Sequence, residues 1–467
     1  STLLLCVILQ YLMHYSTNSI IALPGMDPRL LLHSIVGVNL LLYIWELYLV
    51  HRQRSKHNST EKRPSNVESI ISEEDFTKAR SYSIDRLSFK LLRMTIECGM
   101  SLAMLYGEYY SLLWSLSSSL SSYPIAVFMT LHAVIAFLID LPLSLYENFV
   151  IEDLHGFNKY TLSFYMVDSV KKLVLSTAIT IPLCAGAVWL IDNGGDMFFI
   201  YLWVFISIVI LAMLTIYPAY IAPLFDKYSP LPDGELKTAI EALAQKLQYP
   251  LTKIYVVDGS TRSGHSNAYL FGFWKNKRIV LYDTLLSGEE KRKVYEALGK
   301  EPEKTEDGQE KKEDGKGMGV DEVVAVVGHE LGHWARSHTV RQLGMAEMNI
   351  LLALFCFSFF HKNATLAAAF GFPAGAPSLI SLLVVMQYVM GVYNEAWSLL
   401  TVFMTRQMEF EADEFAAGLG FSSQLSAALV KLSKDNLSVP VNDDLYSLCR
   451  HTHPPVPERL QALSKMQ

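Results

Sequence analysis

Val324-Ala325-Val326-Val327-Gly328-His329-Glu330-Leu331-Gly332-His333-Trp334 carries H-E-x-x-H inside a run of small and apolar residues. The spacing predicts a helix. At about 100° per residue, His329 and His333 then stand one above the other on one face. Two imidazoles so placed can share a zinc ion. Glu330 lies between them in sequence, where its carboxylate can act as general base on a water that the ion polarises. Zinc lowers the pKa of such a water to about 7, so hydroxide becomes available at neutral pH. Val324, Ala325, Val326, Val327 and Leu331 make the helix a buried one. The bland alternative is an amphipathic helix with two unrelated histidines.

A catalytic zinc takes a third protein ligand and keeps one position open. Residues 406–416 read Arg-Gln-Met-Glu-Phe-Glu-Ala-Asp-Glu-Phe-Ala. In a helix, E-x-x-x-D puts Glu409 and Asp413 on one face. Glu409 completes a His-His-Glu set. Asp413 is placed to accept the free N–H of a ligand histidine and fix its tautomer. Glu411 and Glu414 point to other faces. Taken alone, these acids are a solvated helix face; beside His329 and His333 they supply the missing ligand.

Chain length alone would allow roughly two to four soluble domains. Composition argues otherwise: 51% of the residues are hydrophobic and 18% charged, which fits a membrane protein carrying a polar catalytic insert. A net charge of −7 gives no case for nucleic acid. Cys6, Cys98, Cys184, Cys356 and Cys449 are scattered and form no C-x-x-C, so neither a disulfide framework nor a thiolate metal site is indicated.

Residues 1–29 are an N-terminal segment of unclear role. The apolar run at its start is too short for a confident span. Residues 30–50 can cross a bilayer, and His51-Arg52-Gln53-Arg54-Ser55-Lys56 follows at once, which places that end in the cytosol. Further spans are predicted at 91–116, 124–146, 172–192, 198–222, 346–361 and 378–403. With seven spans, basic loops fall inside and the acidic turn at 192–196 outside. Residues 223–345 and 404–467 then share the cytosolic side. Asn363-Ala364-Thr365 is a glycosylation sequon on the far side, close to the membrane. Glu46, Glu97, Glu108, His132, Asp140, Glu147, Asn394 and Glu395 fall in or at the ends of spans. Charges facing lipid cost a few kcal/mol each, so these should face a wet interior or one another.

In the insert, 236–247 has helical periodicity and 253–258 reads as a strand. Residues 267–273 and 278–283 read as a hairpin around 274–277. A strand beside the zinc helix can take an extended peptide by edge addition; the plainer reading is a small sheet packed on that helix. Twelve of the seventeen residues from 300 to 316 are charged, which makes a solvated linker without chemistry. After the last span, 425–432 is helical. His451-Thr452-His453-Pro454-Pro455 then forms an extended turn, from which His453 and Arg459 could reach a developing oxyanion; a surface turn is the equal alternative.

Several stretches together resemble the type I CaaX prenyl proteases, integral-membrane zinc endopeptidases. They are Tyr146–Glu152 with His155-Gly156-Phe157-Asn158, then 220–227 (Tyr-Ile-Ala-Pro-Leu-Phe-Asp-Lys), then 263–272. Gly328–Trp334, Glu409 with 410–415, and His453-Pro454-Pro455 with Arg459 complete the set. The resemblance implies a mainly α fold: a seven-helix barrel around a water-filled chamber, with a cytosolic metalloprotease domain containing a small β-sheet. It implies one zinc on His329, His333 and Glu409, with Glu330 as base. It implies an edge strand at Asn267, Ala268 and Tyr269 for the substrate, and His453 and Arg459 on the oxyanion. The family removes the last three residues after a farnesylated cysteine, and some members make a second, upstream cut, as in a lamin precursor. Its place is the endoplasmic reticulum and inner nuclear membranes.

Two rivals accompany this reading. A membrane quality-control protease would share the zinc chemistry without needing a prenyl group. A transporter would use the intramembrane acids as a pathway, with zinc in a structural role. Three protein ligands rather than four argue for catalysis.

Overall fold

The computed structural model describes residues 26–272, 277–300 and 316–466. Expectations for residues 1–25, for the turn at 273–276 and for the linker at 301–315 lie outside them. The helices run in chain order as α1 (Pro28–Ser59), α2 (Glu73–Tyr106), α3 (Tyr109–Leu120), α4 (Pro124–Tyr146), α5 (Leu162–Asn193) and α6 (Phe198–Ile216). Then come α7 (Glu235–Lys246), α8 (Gly288–Leu298), α9 (Val320–Ala335), α10 (His338–Phe360), α11 (Ala364–Ala369) and α12 (Ser378–Val384). The chain ends in α13 (Gly391–Gly418), α14 (Ser422–Asp435), α15 (Asp444–Arg450) and α16 (Val456–Ser464). Capping follows the sequence. Asp27 accepts from the Arg29 amide with Pro28 at the first helical position, and Ser72 accepts from the Asp75 amide. Asn363, the sequon residue, caps α11 in the same way.

Among the described residues, five helices are long and apolar enough to cross a membrane: Pro28–Ser59, Pro124–Glu152, Leu162–Asn193, Gly195–Leu224 and His338–Phe360. A sixth span forms if Ser378–Val389 and Gly391–Gly418, bent by 62°, count as one. The expected span at 91–116 differs. It is divided between α2 and α3 at Gly107 and Glu108, where Glu108 takes a left-handed φ of 51°. α2 also carries Arg93 and Glu97, so neither piece is an apolar span. The spanning helices show apolar side chains outward, Leu41, Val174, Trp189, Ile208 and Leu211 among them. In water such a surface would be an aggregation patch; in a bilayer it is the solvated one. The protein is therefore a multi-pass membrane protein.

The charges in and near the spans are mostly paired. Glu46 binds Lys90 at 2.9 Å and Arg450 at 2.6 Å, and Arg450 also holds Glu395 at 2.8 Å. Arg93 gathers Glu97 at 2.9 Å, Glu147 at 3.3 Å and Asp140. His132 bonds to the Tyr109 hydroxyl at 2.9 Å. Two stretches quoted above end spans in π-helical turns, Glu147–Glu152 after α4 and Tyr217–Ile221 after α6. Such turns shift the side-chain register by one residue and often mark functional sites.

The polar part is built on β1 (Tyr228–Pro230), β2 (Leu251–Val257), β3 (Ala268–Phe271) and β4 (Lys277–Tyr282), in the order β1-β2-β4-β3. β2 and β4 are parallel, and β3 pairs antiparallel with β4, Ala268 opposite Leu281. β3 is thus an edge strand. Ile254, Val256, Ile279 and Leu281 bury one sheet face against Ile240 and Leu243 of α7 and Val323, Val327 and Leu331 of α9. The other side of α9 buries Ala325 against Ala416, Leu425 and Leu463. A helix enclosed on both sides is held in position and rotation, which the chemistry on it requires.

Candidate active site

α9 and α13 bring the acceptor atoms of His329, His333 and Glu409 within 4.8 Å of one another. The helix spacing does this directly: the two histidines share a face, and Glu409 comes from the helix lying across it. His329 Nε2 and His333 Nε2 are 3.1 Å apart. Glu409 reaches His329 at 3.6 Å and His333 at 3.4 Å. His329 and Glu409 are buried.

Partners on the far side of each ring fix which atoms face inward. His329 Nδ1 lies 2.9 Å from Asp413 Oδ1, so that nitrogen carries the proton and Nε2 presents a lone pair. His333 Nδ1 lies 2.8 Å from His338 Nδ1, and His338 Nε2 lies 2.9 Å from Glu411 Oε2. The carboxylate takes the His338 Nε2–H. His338 Nδ1 then accepts from His333 Nδ1–H, and His333 Nε2 is also left as a lone pair. Glu409 Oε2 is buried without a hydrogen-bond partner. Lone pairs converging at this distance repel unless a cation lies among them, so the residues fit a metal ion. Two imidazoles and a carboxylate are a donor set for zinc with a position left open.

Glu330 lies on α9 between the two histidines, half-buried. Burial pushes its carboxyl up, against the pull of His329 and His333; the nearby Glu409 charge adds to the rise. Such a carboxyl is a stronger base than an exposed one. His453 Nε2 approaches Glu409 Oε1 at 3.3 Å with its side chain 69% exposed, so it faces the open side of the cluster. Arg459 was expected beside it as an oxyanion donor. Its Nη2 and Nε instead hold Asp413 at 2.6 and 2.8 Å, and Nη1 is 3.4 Å from Glu409. A buried guanidinium needs carboxylate partners, and these two take its donors. Asn267, exposed, precedes β3 and accepts the Ala268 amide with its own side chain at 2.8 Å. Ala268 is buried, and the Tyr269 hydroxyl turns to that of Tyr228 at 3.3 Å.

In the sequence Glu411 points to another face than Glu409, and no motif marks His338. The placement of His338 depends on the turn after α9, where Ser337 adopts φ 56° and folds His338 back under His333, in reach of Glu411. The five-residue spacing of His333 and His338 was a signal, but without the turn it does not place the ring.

Fold and site together define a class: a multi-pass membrane metallopeptidase. The comparisons agree. The family model for the CAAX prenyl protease N-terminal region, five membrane helices, matches residues 53–227, and that of peptidase family M48 matches 230–467. A CAAX prenyl protease 1 homolog of Caenorhabditis elegans is 49% identical over 95% of this chain and 99% of its own length. The human homolog is 43% identical over 91% and 94%. The crystal structure of S. mikatae Ste24p superposes with a TM-score of 0.83 at 30% identity, covering 94% of this chain and all of that one. The chain belongs to the CaaX prenyl proteases of peptidase family M48.

Proposed function

We propose that the chain is a zinc endopeptidase that removes the C-terminal aaX tripeptide from farnesylated CaaX proteins, lamin precursor-like ones included. In this reading it resides in the endoplasmic reticulum and inner nuclear membranes with its site toward the cytosol or nucleoplasm. The observation that carries it is the convergence of His329, His333 and the Glu409 carboxylate, whose Oε2 accepts no hydrogen bond, beside Glu330. The C. elegans and human relatives named above supply the substrate class.

His329, His333 and Glu409 hold one zinc. When bound, zinc supplies a Lewis acid that makes a water acidic near neutral pH. The substrate main chain lies along the free edge at Asn267, Ala268 and Tyr269, where backbone bonding accepts varied sequences. Glu330 takes a proton from the attacking water and passes it to the leaving amine. His453 donates to the developing oxyanion from the open side. Arg459 acts mainly by keeping Asp413 and Glu409 charged and in place. Residues 223–345 and 404–467 form the protease part. The spans, with α2 and α3 completing the wall as a seventh element, enclose a water-filled chamber in which the ion-paired acids are solvated.

The test is cleavage by detergent-purified protein of a farnesylated C-a-a-X peptide and its unprenylated twin, each with and without 1,10-phenanthroline. Chelator-sensitive release of the tripeptide from the farnesylated peptide alone is expected. Equal cleavage of both would replace the prenyl-dependent reading with a quality-control one.

A further inference from the structure

A cavity of about 520 Å³ adjoins the cluster, and His453, Tyr82, Arg86, Lys90, Arg93 and Asn436 are among its walls. Arg86, Lys90 and Arg93 recur at helical spacing, so α2 turns a basic stripe toward it. Two of these cations are already matched. Lys90 is 2.9 Å from Glu46, and Arg93 holds Glu97, Glu147 and Asp140. Arg86 is different. Its Nε is 3.9 Å from Glu152, and that carboxylate already accepts from the Tyr82 hydroxyl at 2.7 Å. The Arg86 guanidinium lies over the Tyr82 ring, 5.4 Å from its centroid, and the side chain is 53% exposed. Stacking fixes the direction of a guanidinium without using its N–H donors. Arg86 is therefore an oriented cation with donors to spare.

The cavity also borders the segment leading into β3, through Asn436. Asn436 Oδ1 accepts the Ser266 amide at 3.1 Å, one residue before Asn267. A peptide antiparallel to β3 would carry the residues after its scissile bond past Asn267 toward Ser266; these two line a neighbouring cavity of about 790 Å³, and Asn436, bonded to Ser266, walls the one that holds Arg86. Three extended residues reach roughly 10 Å.

We propose that Arg86 binds the free C-terminal α-carboxylate of the substrate and so sets the cut three residues from the chain end. The subsite rests on the peptidase reading above. A guanidinium fork matches a carboxylate in two parallel bonds, and a charged bond of this kind discriminates by roughly 10–100-fold.

The experiment compares kcat/KM for a farnesylated C-a-a-X peptide ending in a free acid with the same peptide ending in an amide. Wild type should prefer the acid by roughly 10–100-fold. Arg86→Gln should lose the preference for the acid, its kcat/KM on the acid falling toward that on the amide while the amide is still cleaved. Arg86→Lys, which keeps the charge, should retain part of the preference. Equal cleavage of acid and amide by wild type, full preference in Arg86→Gln, or loss of both peptides in that variant would overturn the subsite. Cleavage of neither peptide by wild type would overturn the peptidase reading, and the subsite with it.

Discussion

Three acceptor atoms meet where α9 passes α13, and each is aimed by a partner behind it. Asp413 sets His329, and the His338–Glu411 pair sets His333. The pairing of His329 with His333, and of Glu409 with Asp413, was legible in the sequence because helix spacing puts each pair on one face; the meeting of the two faces comes from the packing of α9 on α13. His338 was not legible, because its ring reaches His333 only through the left-handed turn at Ser337. Nor was the capture of Arg459 by Asp413, which depends on how α16 packs against α13. Outer-shell partners of this kind change metal affinity by about 10–100-fold. His338→Ala should therefore weaken zinc by that order, measured by competition with a chromophoric chelator. Affinity equal to wild type would remove His338 from the account.

At the scale of elements, the site depends on how closely α9 and α13 approach. Gly332 sits at the crossing. A Cβ there would meet Ala412 O at 3.1 Å, Ala412 Cα at 3.2 Å and Phe415 Cβ at 3.1 Å. Backbone atoms cannot swing aside as a side chain can, so a methyl group must move the helices apart by a few tenths of an ångström. Glu409 rides on α13, one turn before Ala412, and moves with it. Gly332→Ala should lower both zinc affinity and melting temperature, with an overpacking cost of about 1–3 kcal/mol. Tight zinc together with an unchanged melting temperature would show that the crossing is not strict. The sheet and the H-E-x-x-H helix followed from periodicity. The break between α2 and α3 did not, because hydropathy averages over the left-handed residue that makes it.

Across the whole molecule, the polar part is tied back onto the first two helices. Arg52 pairs with Asp443 at 2.9 Å, and Val67, Ile70 and Phe76 pack on Val430, Val441 and Leu460. This long-range closure has no local signature in the chain. His451 lies at the junction, its Nδ1 3.2 Å from the Ser447 hydroxyl. Burial, with Arg406 and His57 nearby, pushes its pKa down to about 4. In the unfolded chain it sits near 6.5. Below that pH the unfolded chain takes up a proton that the folded one resists. Stability is then complete above about 6.5 and falls as pH drops toward 4, by up to about 3 kcal/mol. His451→Gln, which cannot protonate, should melt with a flatter dependence over that window. Identical pH dependence in variant and wild type would clear His451 of the effect.

The most direct measurement is made on Glu330→Gln, purified beside wild type, with zinc content and peptide turnover read from the same samples. The amide keeps the shape of the carboxylate and leaves His329, His333 and Glu409 untouched, but it cannot take a proton. One zinc per chain in both proteins is expected, with turnover reduced by roughly 10²–10⁴-fold or more in the variant. Wild-type turnover in Glu330→Gln, or wild-type protein that cleaves without bound metal, would contradict the account.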